Sequence, residues 1–96
     1  MHLLELLEKR RSEILALAEQ HGAYNVRVFG SVARGDSTVE SDIDFLVEFK
    51  PGHGLIDRIA LMQELEDLLG HEVDVVRERS LKQQIRERVM KDAISL

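Results

Sequence analysis

The apolar positions change period along the chain, and each change marks an element. From residue 2 to 20, Leu3, Leu7, Ile14 and Ala18 fall on one helical stripe, flanked by Leu4, Leu15 and Leu17. Gly22, after His21, supplies a helix stop. Residues 24–29 begin by alternating apolar with polar and predict a strand. Residues 31–35 have room for one helical turn, and the polar run from Asp36 to Ser41 reads as loop. Residues 42–49 predict a second strand. Its period of two sends Ile43, Phe45, Val47 and Phe49 to one face and Asp42 and Asp44 to the other. Lys50-Pro51-Gly52-His53-Gly54 is the strongest punctuation in the chain. Residues 55–69 predict a long helix with Leu55, Ile59, Met62, Leu65 and Leu69 as a broad buried stripe, widened by Leu61 and Leu68 and ended by Gly70. Residues 72–76 predict a short strand. Ser80 can cap a last helix running to about residue 94, with Leu81, Ile85, Val89 and Ala93 on its buried face.

The predicted order is α-β-α-β-α-β-α. The segment 55–69 is long enough to cross over between parallel strands, whereas the short connection after the first strand suits an antiparallel pair. The expected fold class is α/β, with α+β character: a small three-stranded sheet, mixed in direction, packed with helices. With no linker, repeat or low-complexity segment, the 96 residues are expected to form a single domain over 1–96.

Composition narrows the function. A hydrophobic fraction of 44% with 32% charged residues suits a globular chain with a small core. No apolar run approaches the ~20 residues of a membrane span, and Glu5, Glu8 and Lys9 interrupt the N-terminal apolar residues where a signal peptide would need them. The net charge of −5 argues against a dedicated nucleic-acid binder. The absence of cysteine removes disulfides and thiolate metal sites and fits a reducing compartment.

The chemistry concentrates in Phe29-Gly30-Ser31-Val32-Ala33-Arg34-Gly35-Asp36 and Ser41-Asp42-Ile43-Asp44-Phe45-Leu46-Val47. Gly30 lets the backbone approach a ligand closely, and the N–H groups of a strand-to-helix turn favour a phosphate. Two same-face aspartates beside such a cradle are what metal-dependent phosphoryl or nucleotidyl transfer needs. Asp74, between Val73 and Val75, is a charge on a short apolar strand. If that strand lies beside the one bearing Asp42 and Asp44, three carboxylates converge. Such a set suits Mg²⁺, and two ions together can clamp the attacking and leaving oxygens of an in-line displacement.

Gly30-Ser31, ten intervening residues and Asp42-x-Asp44 resemble the signature of the DNA polymerase β-like nucleotidyltransferase superfamily. The fuller string GSVARGDSTVESDIDFLVEF resembles its minimal nucleotidyltransferases, the MNT group, small prokaryotic proteins often paired with a HEPN-domain partner as antitoxin and toxin. The resemblance implies the nucleotidyltransferase fold and a cytoplasmic prokaryotic setting. It implies that Asp42 and Asp44 hold two Mg²⁺ ions and thereby the triphosphate. Asp74 takes the third acidic position, ligating the catalytic metal and helping to remove the acceptor's proton. Gly30 and Ser31 receive the outer phosphates of the nucleotide. The expected activity is transfer of AMP from ATP to a protein hydroxyl. For the MNT group this implies a tyrosine on a HEPN ribonuclease toxin, in a hetero-oligomer.

Two other functions compete. The same chain could neutralise a toxin by contact alone, although an intact acidic triad favours catalysis. Transfer to a small molecule would need an acceptor pocket that a chain of this length leaves little room to build. Arg34 could neutralise phosphate charge or pair with Asp36 or Asp42. His2, His21, His53 and His71 lack metal-ligand spacing and read as ordinary surface or loop histidines. The basic residues of the last helical region, Arg77, Arg79, Lys82, Arg86, Arg88 and Lys91, are interleaved with Glu78, Glu87 and Asp92 and read as a solvated face.

Overall fold

Ile43–Phe49 is the strand around which the rest is laid. The computed structural model describes residues 3–38 and 40–96, so residue 2 as the helix start, and His2 itself, lie outside the described residues. Within them the elements run α1 (Leu3–Lys9), α2 (Arg11–Gln20), β1 (Ala23–Phe29), α3 (Gly30–Arg34), β2 (Ile43–Phe49), α4 (Leu55–Leu69), β3 (Val73–Arg77), a 3₁₀ turn (Glu78–Ser80), α5 (Gln83–Asp92) and β4 (Ile94–Ser95). The sheet order is β3-β2-β1-β4. β1 is antiparallel to β2 and to β4, and β2 is parallel to β3. The mixed sheet is the expected one, with a fourth strand that three-strand patterning did not include.

One face of the sheet carries the core. Val28 of β1 pairs with Phe45 of β2, and Phe45 with Val75 of β3. All three are fully buried, together with Leu7, Ile14, Leu61 and Leu65 from the helices. The expected first helix is two. Arg10, at φ −100° and ψ 13°, leaves helical geometry between α1 and α2, yet the stripe Leu3, Leu7, Ile14 and Ala18 stays buried across the break.

In α4 the buried stripe is Leu61, Leu65 and Leu69, and the expected membership of Leu55 and Ile59 fails: they are 60% and 39% exposed. The apolar arc of this helix is wider than the face the sheet covers, so the stripe read from sequence was centred to one side of the real one.

The opposite face of the sheet is polar and thinly covered. Arg27 pairs in register with Leu46, and both are buried outside the main core cluster, beneath the 3₁₀ turn and α5. The guanidinium of Arg27 donates to Glu78 at 2.5 Å and to the sulfur of Met90 at 3.6 Å. The expected buried face of the last helix is not formed. No residue of α5 is buried, Ile85 is 45% exposed, and the helix begins at Gln83 after Lys82, with Ser80 ending the 3₁₀ turn instead of capping the helix. Ala93 closes α5 and the chain turns into β4, where Ile94 pairs with Val28 and Ser95 with Arg27.

Candidate active site

The thinly covered face holds the predicted chemistry at one end. β2 and β3 run parallel with Asp44 opposite Asp74, so both carboxylates project from the same face. Phe29, the last residue of β1, lies opposite Asp44 across the other ladder. The chain then turns at Gly30 into α3, which brings the turn against Asp44. Gly30 has φ +72°, and a Cβ there would lie 2.4 Å from Oδ2 of Asp44. The backbone conformation therefore favours glycine here, and any side chain would also have to push the Asp44 carboxylate aside. Ser31 follows, half-buried, and Gly35 ends α3 in the left-handed region. Asp42 is exposed and stands just before β2. The loop leading to it is closed by Thr38 and Ser41, with the Thr38 N–H donating to Ser41 Oγ at 2.8 Å.

The carboxylates sense one another. Partial burial, followed by the charges of Asp74 and Asp42, pushes the Asp44 carboxyl up to about 6, with Arg34 acting in the opposite direction. Among the described residues no three His, Asp or Glu side chains are gathered tightly enough to form a metal cage. The donor set still fits Mg²⁺, which is held by one or two carboxylates and completes its shell with waters and substrate phosphates. Burial and the two neighbouring carboxylates raise Asp44, a setting in which a bound cation would favour its charged form.

Arg34 is exposed and held by two carboxylates. Its Nε donates to Asp36 at 3.3 Å and its Nη1 to Asp92 at 3.1 Å. The Asp36 pairing was one of the alternatives open from sequence; Asp92, 58 residues away on α5, carried no sequence signal. His21 and His53 lie outside helices and strands, as read from the sequence, and make specific contacts there. His21, half-buried after α2, bonds Glu64 and approaches Asp57 at 3.5 Å, and His53 bonds Asp57 at 3.1 Å. These contacts dock the 50–54 turn against α4, at the end of β2 remote from the aspartates. They depend on tertiary contact and have no motif.

A model of the nucleotidyltransferase domain matches residues 10–96. The chain belongs to the nucleotidyltransferase-domain family. Within this family, the protein adenylyltransferase MntA of Thermococcus cleftensis is 40% identical over 78 residues, 81% of this chain and 79% of that protein. A solved structure assigned to the minimal nucleotidyltransferases superposes with a TM-score of 0.87 at 50% identity, covering 97% of this chain and 95% of that one. A toxin–antitoxin crystal structure with AMP-PNP superposes at TM-score 0.75 and 27% identity, over 88% of this chain and 69% of the other. The resemblance seen in Gly30-Ser31 and Asp42-x-Asp44 is thus borne out over the whole nucleotidyltransferase fold. No helix among the described residues is long and apolar enough to cross a membrane.

Proposed function

We propose that this nucleotidyltransferase transfers AMP from ATP to a hydroxyl of a protein partner, a tyrosine of a HEPN-domain toxin, and so acts as its antitoxin. The observation that carries the reading is the placement of Asp44 opposite Asp74, with Gly30 against the Asp44 carboxylate. The MntA relative and the toxin–antitoxin neighbour with AMP-PNP support the nucleotide, the protein acceptor and the partner.

In this reading Asp42, Asp44 and Asp74 hold the Mg²⁺ ions, which when bound supply Lewis-acid neutralisation of the triphosphate. Gly30 and Ser31 present backbone N–H groups to the outer phosphates, and a Cβ at residue 30 would crowd the Asp44 carboxylate beside them. The acceptor oxygen forms a bond to the α-phosphorus. The bond from that phosphorus to the bridging oxygen breaks, pyrophosphate leaves with the electron pair, and the hydroxyl proton passes to the carboxylate of Asp74. Asp74 suits that role because it is more exposed than Asp44 and lies at the open side of the pair, on the edge strand.

The test is Asp74→Asn, co-expressed with the HEPN-domain partner. Transfer of labelled AMP should fall by about 10²-fold or more, as when a proton acceptor is removed. The partner complex should still be recovered by pull-down, and protection of the cells should be lost. Full protection with no mass added to the partner would overturn transfer and favour neutralisation by contact.

A further inference from the structure

We propose that the acceptor docks along the sheet edge, on a surface that runs from Asp74 to the end of β3 and the first turns of α4. Its occupant there is an acidic segment of the protein partner that also presents apolar side chains. This rests on the adenylyl-transfer reading for its purpose, though not for its geometry.

Three observations converge. A groove of about 310 Å³ is lined by Leu55, Arg58, Asp74, Val76, Arg77 and Ser80, so it opens directly at one of the three site carboxylates. Leu55 of that lining also belongs to an exposed apolar run on α4: Ile56 is 84% exposed, with Leu55 at 60% and Ile59 at 39%. Three large aliphatic side chains clustered in the first two turns of a helix mark a contact surface. The groove is also basic in a chain of net charge −5. Arg58 anchors its wall by donating to the Val75 carbonyl at 2.9 Å. Arg77 lines the same groove and adds a second positive charge to it. Carboxylates of an incoming segment would complement Arg58 and Arg77, and its apolar residues would cover Leu55 and Ile56. Its hydroxyl would then reach Asp74 from the side away from Gly30 and the phosphates.

The probes are two fluorescein-labelled peptides with one tyrosine and the same leucines, flanked by glutamates in one and lysines in the other. Binding is read by anisotropy and transfer by label from ATP with Mg²⁺. The glutamate peptide should bind at least about 10-fold more tightly than its lysine counterpart, and Arg77→Glu should reverse the preference. Ile56→Asp should weaken binding about 5-fold or more, as loss of an apolar anchor does. Lys9→Glu on α1, the same charge change at an exposed site, should alter neither, and the melting shift produced by Mg²⁺ with ATP should persist in every variant. Arg77→Gln, which should abolish the preference without reversing it, serves if the glutamate variant does not fold. Equal binding of the two peptides, or an equal effect from Lys9→Glu, overturns the proposal. So does sedimentation showing that Ile56→Asp splits a dimer, since the face would then join two copies of this chain. Preferential binding without transfer would leave docking standing and overturn adenylyl transfer. Transfer onto the lysine peptide without preference would do the reverse.

Discussion

Asp44 is a residue that the candidate site places at the expense of the fold. Its carboxyl titrates near 6 in the folded chain, against an ordinary value of 3.8. Below the lower value both folded and unfolded chains hold the proton, and Asp44 does not alter stability. Between about 4 and 6 the folded chain alone keeps the proton, so stability falls as pH rises through that window and the penalty is complete above it. The group is half-buried, and solvent screening reduces the penalty to the order of 1–2 kcal/mol. Asp44→Asn should therefore raise the melting temperature at pH 7 in EDTA and flatten the pH dependence between 4 and 6, while abolishing transfer. A variant that melts at or below the wild-type temperature would show that burial and the neighbouring charges do not penalise the ionised Asp44. Gly30→Ala should act oppositely on stability. Its φ of +72° alone costs on the order of 1–2 kcal/mol for an L-residue, and the added Cβ must also displace the Asp44 carboxylate. Urea unfolding should show a loss of at least that size.

At the level of elements, legibility followed burial. β2, α4 and β3 were placed to within a residue from periodicity, because each has one face fully against the core and the period survives into the structure. The pairing at the centre of the candidate site was legible too, since strand register alone carries Asp44 to Asp74. The break at Arg10 was hidden because the apolar stripe runs on across it. β4 was hidden because two residues carry no period, and its pairing is decided by Arg27 and Val28 on a distant strand. α5 has apolar residues at helical spacing but is held by polar groups: Arg34 to Asp92, Arg86 to Glu78 at 3.5 Å, and Arg27 to the sulfur of Met90. Arg27 is the keystone of that attachment, 6% exposed and paired with a carboxylate that its guanidinium holds below the usual range. Glu78→Ala leaves that guanidinium buried without its partner and should cost about 3–5 kcal/mol. Adding Arg27→Met should recover much of the loss, because no unpaired charge then remains. Chemical denaturation of the two variants measures both values, and a double variant no more stable than the single would refute the unpaired-charge account.

For the molecule as a whole, a small core must carry a face that repels itself. The apolar cluster lies wholly on one side of the sheet, while the other side holds the aspartates, the buried Arg27 and a helix with no buried residue. Cation binding at the carboxylates should relieve that imbalance in the folded chain and not in the unfolded one, so the folded state gains by mass action. With Mg²⁺ and ATP at about ten times the dissociation constant the gain is roughly 1.4 kcal/mol. For a domain of this size, that is a rise of about 6–11 °C in melting temperature. The double variant Asp42→Asn with Asp44→Asn should begin higher than wild type in EDTA, because its repulsion is already gone, and should not respond to Mg²⁺ with ATP. Scanning calorimetry of both proteins, with and without the ions, distinguishes this from a general salt effect, which would move both curves together. If the double variant gains as much from Mg²⁺ and ATP as wild type does, the ions bind away from Asp42 and Asp44, and the nucleotide site must be sought elsewhere on the fold.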